Sequence, residues 1–207
     1  MNYIQFQKEF KGLPVFSITD IKKLDEKVYH HRLVEWQKKG LIERITNGVY
    51  KFIDVELDEL KLFLISNKIY SPSYISLETA LSFYNFIPET VYHFTSVSTK
   101  KTSIFNSRYG NFIYRKVSNN LFWGYTLLVK NNLTVKIAEP EKALLDYFYF
   151  HPELSESKRI SELRLNKSQI LDTISFEKLE KYLNAFNNKQ LNKRIKLFKK
   201  FFNNANS

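Results

Sequence analysis

Five side chains able to donate to an anion, Lys27, His30, His31, Arg32 and Lys38, fall inside one helical pattern, EKVYHHRLVEWQKKG (26–40). Tyr29, Leu33 and Trp36 recur there at i, i+4 and i+7 and make one apolar stripe, so Lys27, His30, His31 and Lys38 point away from it. Lys, Arg and His side chains of this kind serve phosphate oxygens and base edges. Beyond Gly40, LIERI and VYKF flank Thr46-Asn47-Gly48. Asn-Gly is the pair that a type I′ hairpin favours, because both central residues take positive φ. Arg44 and Lys51 flank that hairpin and Asn47 sits at its tip. Ser17 and Thr19 stand at the start of the preceding stretch, SITDIKKL (17–24), where a hydroxyl can cap the helix or donate to phosphate beside free backbone N–H groups.

Other chemistries find less support. The histidines are His30, His31, His93 and His151. His30 and His31 diverge by about 100° on a helix and make a poor metal pair. None of the four stands beside a serine in a nucleophile-elbow pattern. No phosphate-loop or dinucleotide glycine fingerprint occurs, and only 5 glycines are present to build one. IAEPEKALLD (137–146) is an acidic cluster after a strand pattern. A metal-dependent nuclease of the restriction type wants an acid and then an acid-x-Lys triplet. Here Glu141 and Lys142 are adjacent and Pro140 fills the acid's slot, so the spacing is off by one. Glu139 and Glu141 read better as carboxylates beside the positive end of a helix. No metal or cofactor site is expected, and no enzyme.

The elements that must position the amino-terminal donors follow from periodicity. Residues 2–10 have Tyr3, Phe6 and Phe10 at helical spacing, Gly12 and Pro14 break that helix, and two more helical stretches precede the hairpin. Helix, helix, helix, hairpin is the order of a winged helix-turn-helix, expected over residues 1–53. DVELDEL opens a linking helix to about Ile69, SPSY breaks it, and ISLETALSFYNF is a helix capped by Ser76. TVYHFTSVST, NFIYRKV, WGYTLLVK and LTVKIA read as strands, with turns at Tyr109-Gly110, Asn119-Asn120 and Asn131-Asn132. EPEKALLDYFYF begins the helical remainder, which ends in a basic tail. The class is therefore α+β: a winged helix-turn-helix, then over residues 54–207 a mixed α/β domain with an antiparallel sheet and a helical carboxyl-terminal segment.

Charge agrees with a polyanionic partner. The 207 residues carry a formal +11. Residues 1–52 have 10 Lys/Arg against 6 Asp/Glu, and residues 153–207 have 12 against 6. From Thr90 to Ala138 there are seven Lys/Arg and no acid. Lys100, Lys101, Arg108, Arg115 and Lys116 in that stretch form a second candidate surface. Tyr109, Phe112, Tyr114, Phe122, Trp123 and Tyr125 interleave with it, which suits base stacking but suits a sheet with one core face better. The chain has no cysteine, no apolar run long enough to span a bilayer and no signal-peptide pattern, so a cytoplasmic protein without a membrane partner is expected.

YISLETALSFYNFIPE (74–89), TSVSTKKTSIFNSRYGNFIYRKV (95–117) and IAEPEKALLDYFYF (137–150) together resemble the AbiEi-like antitoxins of type IV toxin–antitoxin systems, a group tied to abortive infection and phage defence. Ser76, Leu77, Glu78, Ala80, Leu81, Gly110, Phe112, Pro140, Glu141, Lys142, Ala143, Leu144, Leu145 and Asp146 match the family pattern. SVSTKKTSIF has a Ser where the pattern has a second Thr, and nothing after His151 matches. The resemblance implies an amino-terminal repressor module that binds operator DNA, inverted repeats being expected. It also implies a body that counteracts a nucleotidyltransferase-like toxin or protects its target. Two other classes fit the residues alone: a nuclease or other nucleic-acid-processing enzyme with a winged-helix arm, and a basic adaptor for protein or RNA.

Overall fold

The computed structural model describes residues 2–10, 12–24, 30–88 and 92–203, and its fold is mixed α+β. The amino-terminal part runs α1 (Tyr3–Glu9), β1 (Val15–Ser17), α2 (Ile18–Leu24), α3 (His30–Lys38), β2 (Ile42–Thr46) and β3 (Val49–Phe52). Asn2 and Gln5 cap α1 reciprocally: Gln5 N–H donates to Asn2 Oδ1 at 2.9 Å, and Asn2 N–H to Gln5 Oε1 at 3.2 Å. The three strands form an antiparallel sheet in the order β1-β3-β2. Strand β1 is an addition to the expected order. Gly12 and Pro14 make its surroundings read as a break, yet Val15 and Phe16 are fully buried and pair with Lys51 and Tyr50.

The β2–β3 turn is not the expected type I′. Gly48 has φ +77°, but Asn47 is absent from the described residues with positive φ. The register steps from Arg44↔Tyr50 to Thr46↔Val49, a bulge at Ile45. A bulge supplies extra right-handed twist, so the turn need not supply all of it.

A first aromatic core closes this part. Phe6, Phe10, Phe16, Trp36, Tyr50 and Phe52 pack together, with Phe6 4.6 Å from Phe10 and 4.7 Å from Trp36 between ring centroids. The sheet's other face contributes Val15, Ile45 and Val49 to a second, larger core.

Helix α4 (Glu59–Ile69), capped by Asp58, leads into the body. Strand β4 (Ser73–Ile75) follows at once, inside the stretch read as a break. Next come α5 (Leu77–Phe83), β5 (His93–Ser98), β6 (Ser103–Ser107), β7 (Gly110–Lys116), β8 (Tyr125–Lys130) and β9 (Leu133–Ala138). The sheet order is β6-β7-β5-β4-β9-β8. It is mixed rather than antiparallel, because β5 runs parallel to β7 and β4 parallel to β9. The cause is connectivity: β6 pairs on the far side of β7, so β7 returns in the direction of β5, and β4 fills the gap between β5 and β9. The two-residue turn with both φ positive falls here instead, at Asn131 (+53°) and Asn132 (+60°) between β8 and β9.

Helices α6 (Pro140–Phe150), α7 (Ser157–Glu162), α8 (Lys167–Thr173), α9 (Phe176–Phe186) and α10 (Lys189–Asn203) complete the body. Phe112 and Tyr114 are fully buried, as a sheet face turned to the core requires. Among the described residues no helix is long and apolar enough to cross a membrane.

Candidate nucleic-acid interface

Helix α3 is fixed at its carboxyl end by backbone geometry. Gly40 takes φ +66°, its N–H donates to Gln37 O at 3.0 Å, and Leu41 N–H donates to Trp36 O at 2.9 Å. These are the two bonds of a Schellman motif. Leu33 and Trp36 are buried, at 2% and 5% exposure, against the aromatic core. The opposite side carries His30, His31, Arg32 and Lys38, all exposed. Glu35 is the acid on this helix: Arg32 lies 3.6 Å from it and Lys39 2.7 Å. Lys27 and Tyr29 lie outside the described residues.

The neighbouring donors divide. Thr19 is exposed. Ser17 is committed to its own helix: its hydroxyl and its N–H both donate to Asp20 Oδ2 at 2.8 Å, and it accepts from Asp20 N–H at 3.1 Å. That is the expected cap, and it leaves no hydroxyl proton for a phosphate. Arg44 is exposed and arches over the turn, donating to Thr46 O at 3.3 Å and to Asn47 Oδ1 at 3.4 Å, with Asn47 also exposed.

Lys51 is a correction. It is 5% exposed, and its ammonium donates to the carbonyls of Phe52, Ile53 and Val55 at 3.2, 3.2 and 2.9 Å, with Glu43 at 3.6 Å. Strand β3 is the middle strand of its sheet and is buried on both faces, so alternation alone misplaces Lys51 on the outside.

The second set also divides. Lys100 and Lys101 lie in the β5–β6 turn, and Arg115 and Lys116 end β7 beside Val97 and Ser98. All four are exposed at one end of the large sheet. Arg108 lies at the opposite end and bonds across to the small sheet, with its guanidinium 2.6 Å from Glu43 and 2.8 Å from the Tyr109 hydroxyl. Tyr109 itself donates to Glu43 at 2.7 Å. Arg108 is thus part of a junction rather than of one cationic patch.

A separate cleft of about 430 Å³ between α2, α4 and the large sheet is lined by Thr19, Lys23, Lys68, Ser73 and Lys136 among others. Lys68 bonds Asp20 across it at 2.7 Å. Burial pushes the Asp20 carboxyl upward, but the hydrogen bonds from Lys68 and Ser17 outweigh that and hold it below the ordinary carboxylate value.

Glu139 and Glu141 stand at the start of α6, as expected of helix-start carboxylates, and the cluster of 139–146 also turns inward. Glu141 is 3% exposed and accepts from Ser175 N–H at 2.9 Å, with Lys178 at 3.2 Å. Lys142 and Asp146 are fully buried, bonded to each other and to Tyr74, whose hydroxyl accepts from Lys142 at 2.8 Å and donates to Asp146 at 2.9 Å. Burial pushes the Lys142 ammonium below its ordinary value, with Asp146 opposing. Ser76 also donates to Asp146, at 2.9 Å, instead of capping α5 with its side chain. Thr95 from β5 caps α5 in its place, accepting from Thr79 N–H at 3.1 Å. Gly124, at φ +71°, passes over the Lys142 stem so closely that a Cβ would lie 3.0 Å from its Cγ. The signal for this inward turn was in the sequence: KALLDYFYF is apolar on most sides, so charges on such a helix have nowhere to go but inside.

Among the described residues no group of three or more His, Asp or Glu side chains is arranged to hold a metal ion. No protein-family model matches the sequence, and no curated protein matches it.

Proposed function

We propose that this chain is a DNA-binding transcriptional autorepressor and the antitoxin of a type IV toxin–antitoxin pair. In this reading residues 1–53 are a winged helix-turn-helix and residues 54–207 the antitoxin body. The observation that carries the DNA-binding part is α3: its buried stripe of Leu33 and Trp36 turns His30, His31, Arg32 and Lys38 to solvent, beside a hairpin whose tip presents Arg44 and Asn47. A helix so placed enters the major groove with its amino-terminal residues on base edges, while the hairpin follows the backbone. His30, His31 and Arg32 are at that end.

The antitoxin part rests on the residue blocks of the AbiEi-like pattern. The body's hydrogen bonds join all three blocks, through Tyr74, Ser76, Thr79, Thr95 and Asp146. That use of the matched residues suits a fold signature. The nuclease alternative needs Glu141, Lys142 and Asp146 at solvent, and they are 0–3% exposed.

The test is a gel-shift titration on the DNA upstream of the chain's own reading frame, with Arg32→Ala plus Lys38→Ala. Losing one base-edge donor and one phosphate contact should make the slope of log affinity against log salt shallower by about 1 and weaken binding at least about tenfold, with the thermal midpoint unchanged. Unaltered affinity and slope in the double variant would remove α3 as the reader.

A further inference from the structure

The carboxyl-terminal half carries a cationic cleft that owes nothing to the DNA reading. Between the end of α6 and the start of α10 lies a cleft of about 690 Å³, lined by Lys116, Tyr149, Phe150, Asn188, Lys193 and Arg194 among others. That volume is in the range of small-molecule sites. Among the described residues no carboxylate lines it.

Arg194 is the decisive residue. It is 7% exposed, and its Nε is buried with no hydrogen-bond partner among the described residues. A guanidinium carries a fork of N–H donors that stays charged, and native interiors rarely leave such a donor unmet. Burial lowers its affinity for the proton, while Glu153 and Tyr149 oppose this through space, neither hydrogen-bonding it among the described residues. Arg194 lines the cleft, so an acceptor there meets the guanidinium at its outer N–H groups. The planar fork suits two oxygens of one phosphate.

The rest of the lining fits the same guest. Lys193 and Lys116 are exposed at the rim and add charge from two different elements. Asn188 already accepts from the N–H groups of Gln190 and Leu191, at 3.0 and 2.9 Å, so the anion's place is at the cations rather than at the helix end. Tyr149 and Phe150, set edge to face at 5.1 Å, add an aromatic part to the lining.

We propose that this cleft binds a nucleotide, its phosphate held by Arg194, Lys193 and Lys116 and its base against Tyr149 and Phe150. Isothermal titration of the full chain with the four ribonucleoside monophosphates, adenosine and inorganic phosphate tests it. At least one monophosphate should bind about tenfold more tightly than inorganic phosphate, and adenosine should not bind. Lys116→Ala plus Lys193→Ala, both surface changes, should weaken that binding about tenfold while Arg32→Ala plus Lys38→Ala leaves it unchanged. Arg194→Met should abolish it and should not lower the ligand-free thermal midpoint, because the unmet donor leaves with the side chain. A merely structural arginine would lower that midpoint. No binding of any monophosphate, inorganic phosphate binding as tightly as they do, or binding that survives the paired lysine change would overturn the proposal.

Discussion

The amino-terminal part keeps most of its charge outside, Lys51 excepted, whereas the body buries a charged cluster. In the first, stability comes from stacked rings around Phe6 and Trp36, and the cations of α3 stand outside. In the second, a lysine, an aspartate and a glutamate are buried, Lys142 and Asp146 bonded to tyrosine and serine hydroxyls and Glu141 to the Ser175 N–H. The part with outward charge has cations to offer a partner. The inward charges of the body tie β4 to α6, since Lys142 and Asp146 bond Tyr74 and Asp146 also bonds Ser76. The body's own cationic surface therefore comes from other residues, at the sheet end marked by Lys116.

The largest expected effect attacks that contrast directly. Lys142→Met leaves Asp146 charged, buried and short of its cation, and should cost about 3–5 kcal/mol in urea unfolding. Lys142→Met with Asp146→Leu should recover much of the loss, because well-packed apolar pairs replace buried ion pairs at little cost. A single variant within about 1 kcal/mol of the parent would mean that water reaches the pair and that the interior charge is not what distinguishes the body.

Much of the amino-terminal order was legible because its signals are local. Ser17 with Asp20, Gly40, the Leu33–Trp36 stripe and the hairpin each depend on residues within a few positions. What escaped was set by distant partners. Strand β1 is three residues whose identity as a strand comes from β3, and Lys51 is inside because strands cover it on both sides. In the body, β4 exists because β5 and β9 receive it, and Ser76 gives its hydroxyl to an aspartate seventy positions on. The candidate interface was half legible for the same reason: exposure of His30, His31, Arg32, Lys38, Arg44 and Asn47 follows from helix and hairpin patterns, whereas the tie of Arg108 to Glu43 needs both sheets.

A smaller effect sharpens the other side of the contrast. Gly40 takes a left-handed conformation in open space, with no atom within 4 Å of where a Cβ would be. Gly40→Ala should therefore cost only the conformational penalty, about 1–2 kcal/mol. Circular dichroism melts would read it. An unchanged midpoint would mean that the end of α3 is not held by this motif, and that its cations are positioned by something other than backbone geometry.

The smallest effect belongs to the junction, where the two styles meet. Asp20 in α2 pairs with Lys68 in α4 at 2.7 Å, both side chains about four-fifths buried, at 21% and 16% exposure. Its carboxyl is held below the ordinary 3.8 in the folded chain. A depressed folded value means that the ionised form is the stabilising one. Its contribution is complete above that ordinary value and is lost as pH falls through the folded value. Asp20→Asn should therefore cost about 1 kcal/mol at neutral pH, near the upper end for part-exposed pairs because the cap of α2 weakens too. The difference between parent and variant should stay constant down to about pH 5 and shrink below about pH 4, where the parent protonates and comes to resemble the variant. A difference that instead grew on acidification would mean that the folded chain prefers the protonated carboxyl, and that the small sheet and α4 are joined by packing of Val15, Ile45 and Val49 rather than by this pair.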